Sequence, residues 1–135
     1  MVDHVAIRRV LAGVLNGIPD MPAIAWENTA FTPVVGDTYL SEAILFGESV
    51  PLAIDFGGTE ETVGVYQVSV NAPTDTTTFP ALELARTIKS AFARGIYTDT
   101  TTGQKLEITR VSLNPALIEA PWLTLPVSIN FKVIE

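Results

Sequence analysis

Residues that could do catalysis are few in this chain and poorly spaced for it. His4 is the only histidine and lies close to the N-terminus, with no second imidazole to share a metal or a proton relay. There is no cysteine, which removes thiol nucleophiles, thiolate metal sites and a disulfide framework together. Gly57-Gly58 runs into Thr59-Glu60-Glu61 and lacks the lysine and the strand–loop–helix setting of a phosphate-binding loop. No serine stands in a nucleophile-elbow sequence. Carboxylates are numerous but scattered. The one adjacent pair in a strand-like stretch, Glu60 and Glu61, would point to opposite faces of that strand, a poor start for paired acid–base work. The expectation is a protein that is not an enzyme and needs no cofactor or metal.

The distribution of charge is more informative than its sum of −7. No Lys or Arg occurs between Arg9 and Arg86, while that interval holds Asp20, Glu27, Asp37, Glu42, Glu48, Asp55, Glu60, Glu61, Asp75 and Glu83. Such a segment repels a nucleic-acid backbone, which argues against a DNA- or RNA-binding domain and fits a surface past which DNA slides without sticking. No apolar run approaches the length of a membrane span, and Asp3, Arg8 and Arg9 interrupt any signal-peptide core.

The elements that must position these groups can be read from hydrophobic period. At 135 residues and 47% hydrophobic content the chain suits a single domain, residues 1–135, with one core. Ile7, Val10, Leu11, Val14 and Leu15 recur with helical spacing behind Asp3, a good N-cap, and Asn16-Gly17 with Pro19 stops the helix. A short edge strand is expected at Ile24 to Asn28, and a longer strand from Thr38 to Phe46. Pro51 to Phe56 is a further strand candidate. Gly57 to Glu61 reads as a turn, making a hairpin with an acidic tip. From Thr62 to Val70 the β-branched alternation slips beside Gly64, which suggests a bulge there.

After Pro73 the polar link Thr74–Thr78 leads into a second helix. Its apolar stripe is Leu84, Ala85, Ile88, Ala91 and Phe92, with Arg94 in the last turn and Gly95 beyond it. Thr98–Gly103 is a loop, Lys105 to Val111 a strand, and Asn114 to Pro121 a loop carrying Leu117 and Ile118. Leu123, Leu125, Val127, Ile129, Phe131 and Val133 alternate with polar neighbours in one long strand. Pro126 places that strand at a sheet edge or at a bulge, and an open edge invites another chain. The fold class is therefore α+β: an antiparallel or mixed sheet, two helices packed on one face, and a projecting β-hairpin.

Three stretches carry a family resemblance: Ala25-Trp26-Glu27-Asn28 with Phe31-Thr32-Pro33, Gln67-Val68-Ser69-Val70 with Ala72-Pro73, and Phe92-Ala93-Arg94-Gly95. Their order and spacing resemble the tail-terminator-like proteins of long-tailed bacteriophages, related in fold to the lambda-type tail terminator. The resemblance covers roughly the first two-thirds of the chain. It implies a structural virion protein, made in the bacterial host cytoplasm, that forms a ring, typically of six copies, on the head-proximal end of the tail tube. The ring would stop tube polymerisation and offer a surface to head-completion or connector proteins. Its partners would be further copies of itself, the major tail tube protein and those head proteins. DNA would pass through its lumen without specific binding, and no membrane is involved. A cyclic ring needs two different patches per subunit. Assigning them to the Phe46–Thr62 hairpin and the loops Thr74–Thr78 and Thr98–Gly103 nominates Phe46, Glu48, Asp55, Glu60, Glu61, Asp75 and Asp99 for the interface or the lumen. The alternatives are a head–tail connector or tail-completion protein, and a small α+β binding domain outside phage biology.

Overall fold

The computed structural model describes residues 3–51, 60–74 and 78–134. Within them lie two helices and a mixed, unclosed sheet: α1 (His4–Asn16), β1 (Ile24–Ala25), β2 (Tyr39–Pro51), β3 (Glu60–Pro73), α2 (Phe79–Ala91), β4 (Gly95–Thr98), β5 (Lys105–Leu113), β6 (Leu117–Glu119) and β7 (Trp122–Ile134). The strand order is β1-β2-β3-β7-β5-β4, with β6 also paired to β7. Every pairing is antiparallel except β1 on β2. None of the described helices is long and apolar enough to cross a membrane.

The α+β reading holds, and both helices contribute to one core. Asp3 caps α1 by accepting from the Ala6 N–H at 3.1 Å. The predicted spacing then buries Ile7, Leu11 and Leu15, while α2 buries Ala81, Ala85 and Ile88, with Phe92 buried at its C-cap. These side chains meet one face of the sheet, formed by Leu40, Tyr66, Val68, Val70, Leu106, Ile108, Leu125, Val127, Ile129 and Phe131. Trp26 packs against the rim of that cluster, half-buried.

Several expectations change. The long C-terminal strand is not at an edge. β7 is central, with β3 on one side and β5 and β6 on the other. Pro126 fits there because its carbonyl, which accepts from the Asn114 N–H at 2.9 Å, faces the gap where β5 ends and β6 has not begun. N–H and carbonyl of one strand residue point the same way, so the missing N–H costs no bond to β3. Leu117 to Glu119 form a strand instead of a loop.

The bulge is also displaced. β3 runs in unbroken register against β7 through Gly64, and the extra residue lies in β2 between Phe46 and Ser49. The apparent slip arises because Gly64 occupies a core-facing position that the Phe131 ring fills: a Cβ there would lie 2.5 Å from Phe131 Cζ. Glu60 and Glu61 belong to β3 rather than to a turn, whereas 52–59, including the expected Gly57 turn, lie outside the described residues. α2 ends at Ala91, leaving Arg94 in the link to β4 and Lys89 as the basic residue of the last turn.

Candidate functional site

Two neighbouring arginines on α1 reach opposite margins of the sheet. Arg8 grips the Glu42 carboxylate on β2 through both terminal guanidinium nitrogens. Arg9 donates to Asp99, just after β4, at 2.9 Å. The Asp3 N–H donates to Gln104 at 3.1 Å on the same margin. The first helix therefore ties β2 to the β4–β5 turn, and the sheet bends round it without closing.

The Glu42 cluster is the most strongly perturbed group of charges. The Glu42 side chain has no exposed surface, and Arg8 is 29% exposed. Burial pushes the Glu42 carboxyl up, but the Arg8 guanidinium and the Glu27 N–H, donating at 2.7 Å, together hold it below the usual carboxylate range. The hydrogen bonds to Glu42 and its charge raise the Arg8 pKa in turn. Tyr66 is buried beside the cluster. Its hydroxyl makes no hydrogen bond of ordinary geometry, and burial with the nearby Glu42 charge pushes its pKa up. Glu27 in turn accepts from the Ile44 N–H at 3.2 Å with its own carboxylate. The Ala-Trp-Glu-Asn stretch thus locks the start of β2 and shields part of its outer edge, which is structural work rather than catalysis.

The nominated interface residues are scattered over the fold. Phe46 is 37% exposed, with its ring edge-on to His4 at 4.5 Å and to Phe131 at 6.1 Å. Glu48 is exposed at the β2 bulge. Glu61 lies partly exposed on β3, opposite Ile134 of β7, and Glu60 pairs with Pro51 through the backbone. Asp55 and Asp75 lie outside the described residues. Asp99 is 3% exposed and is spent on its own turn, accepting from the Thr102 hydroxyl at 2.7 Å and the Thr102 N–H at 3.1 Å. The Thr102 hydrogen bonds, with Arg9, hold its carboxyl low. No group of acidic, histidine or cysteine side chains among the described residues is arranged to hold a metal ion.

The helix-free face of the sheet and its two margins remain. β1 covers β2 only at Leu40 and Ser41. The Leu40 N–H donates outward to the Ala23 carbonyl at 2.8 Å and Ile44 outward to Glu27. Strand alternation aims the Phe46 N–H the same way, and no described residue meets it. Beside it Leu45 is 62% exposed on the helix-free face. Sequence reasoning missed the opposite margin, β4, where Ile96 is 71% exposed. Four residues between a helix stop and a threonine-rich turn leave almost no period to detect.

The comparisons agree with this architecture. A family model described as phage tail terminator protein matches residues 6–131. A solved structure superposes with a TM-score of 0.71, covering 98% of this chain and 96% of that chain at 23% identity, a likeness of fold. No curated protein matches the chain.

Proposed function

This chain belongs to the phage tail terminator protein family, and from that membership we propose that it forms the ring that closes the head-proximal end of a tail tube. The family is one of structural proteins, so the chain is a structural tail component that associates with other tail and head proteins. On the proposed reading it assembles in the host cytoplasm, docks on the last ring of the major tail tube protein, halts polymerisation and presents its other side to the head-completion proteins. One 1–135 unit per subunit and typically six subunits make the ring, and DNA passes through it unbound.

The match over nearly the whole chain carries the proposal. Physical features support it. A net charge of −7 disfavours DNA adhesion at a lumen. Among the described residues, β4 and the part of β2 beyond β1 have no further strand beside them, which suits assembly with other chains.

A capping assay tests it. Major tail tube protein from the same phage is polymerised with substoichiometric amounts of this protein, and tube lengths are measured by electron microscopy. Mean length is expected to fall with dose, with a density at one end of each tube. An unchanged length distribution with bare ends would refute capping.

A further inference from the structure

We propose that the head-to-tail seam between copies joins the acidic β2 margin of one subunit to the basic β4 margin of the next, extending the sheet from chain to chain. This deepens the ring reading and rests on it.

Three observations converge. The first is direction. β2 to β3, β3 to β7, β7 to β5 and β5 to β4 are four antiparallel steps, so β2 and β4 run the same way. A rotation axis roughly along the strands therefore brings β4 of one copy beside β2 of the next as a parallel pair. Every copy then presents one of each edge, as a closed heterologous ring requires.

The second is charge. The β1–β3 half carries the exposed or half-exposed carboxylates Glu27, Asp37, Glu48 and Glu61 and no cation. The other half, with α2, exposes Arg86, Lys89, Arg94, Lys105 and Arg110, none in an ion pair among the described residues, against the exposed carboxylates Glu83 and Glu119. Lys132, by contrast, is matched internally by Glu107 at 3.4 Å. Glu27 is partly answered by Arg8 at 3.9 Å, whereas Asp37, Glu48 and Glu61 have no ion-pair partner among the described residues. Edge-to-edge docking sets these carboxylates of one copy against the unmatched cations of its neighbour, which favours this pairing over β2 on β2 or β4 on β4.

The third is apolar surface. Leu45 aligns with Val65 and Asn130, and Ile96 aligns with Glu107 and Lys132, so both project on the helix-free face at opposite margins. Parallel addition with a shift of two residues along the strands puts them side by side. The outward Phe46 N–H, just past the Glu27 cap, is where the first new backbone bond forms.

The chain has no cysteine, which makes disulfide mapping clean. Purified Leu45→Cys and Ile96→Cys proteins are mixed and oxidised, and the double variant is oxidised alone, with native mass measured in parallel. Folding is checked by circular dichroism. The mixture is expected to give covalent heterodimers without homodimers, and the double variant a ladder ending at the ring. A second pair uses surface charges only. Glu48→Lys is expected to weaken self-association at least tenfold, and mixing it with Arg94→Glu protein to restore it. Native multimers without the Leu45–Ile96 cross-link and without charge rescue would overturn the seam while leaving the ring reading intact. Homodimers of Leu45→Cys would replace it with a β2–β2 contact. Monomers alone, up to the highest soluble concentration, would overturn both readings.

Discussion

Replacing Arg8 with alanine is expected to destabilise the protein by about 3–5 kcal/mol at neutral pH, the range for removing one partner of a buried ion pair. The Glu42 side chain is wholly buried, so the substitution strands a carboxylate that water cannot reach. Glu42→Ala should cost less, about 2–3 kcal/mol, because the partly exposed Arg8 can turn to solvent and the Glu27 N–H is the main group left unmatched. The double variant Arg8→Met/Glu42→Gln keeps an acceptor for that N–H and removes both charges. It should recover most of the loss.

The pH dependence separates this account from simple loss of packing. In the native protein Glu42 titrates below its ordinary value, so its contribution is complete above the ordinary glutamate range and disappears as pH falls through the lowered one. Without Arg8, burial dominates and the Glu42 pKa rises. The variant then loses stability as pH climbs from the glutamate range toward neutrality. The gap between the two proteins should therefore widen from acid to neutral pH in urea unfolding. A loss under about 1 kcal/mol, flat with pH, would contradict the clamp.

Gly64→Ala is expected to cost about 3 kcal/mol, the upper part of the overpacking range. The new methyl group would meet the Phe131 ring at 2.5 Å and the Leu45 carbonyl oxygen at 2.7 Å. The ring can rotate away, but the carbonyl belongs to the β2–β3 ladder and moves only with the strand. Combining Gly64→Ala with Phe131→Leu should thus rescue only part of the loss, measured by thermal unfolding against Phe131→Leu alone. Full rescue would mean that the ring alone excludes a side chain. A nearly neutral Gly64→Ala would mean that β2 and β3 separate easily at this point, and that the Phe46 margin yields to an added methyl group.

The parts of the fold legible in the sequence are those whose signal is local. Asp3 followed by the Ile7–Leu11–Leu15 stripe specifies α1 and its cap, and the odd-position run from Leu123 to Val133 specifies β7. What was hidden depends on partners distant in the chain. Glu42 looked like one more solvated carboxylate because Arg8 lies 34 residues away and Glu27 15 residues away. Asp99 looked like a loop charge for the same reason, with Arg9 90 residues distant. Pro126 misled because a proline reports a missing donor without saying which side it faces. Gly64 looked like a bulge because a glycine interrupting a β-branched run reads the same whether the backbone deforms or a neighbouring ring takes the space. The resemblance, carried by the Ala-Trp-Glu-Asn stretch, marks residues that fasten α1 to β2, which is why it reported the family without pointing to the interface.

Tail length after deletion of its gene tests most directly whether this protein ends tail growth. Electron microscopy of lysates is expected to show overlong tubes of variable length that carry no heads, with normal length restored by the gene supplied in trans. Tails of normal, uniform length in the deletion would contradict termination, and if such tails failed to join heads the protein would belong instead to the joining step that follows.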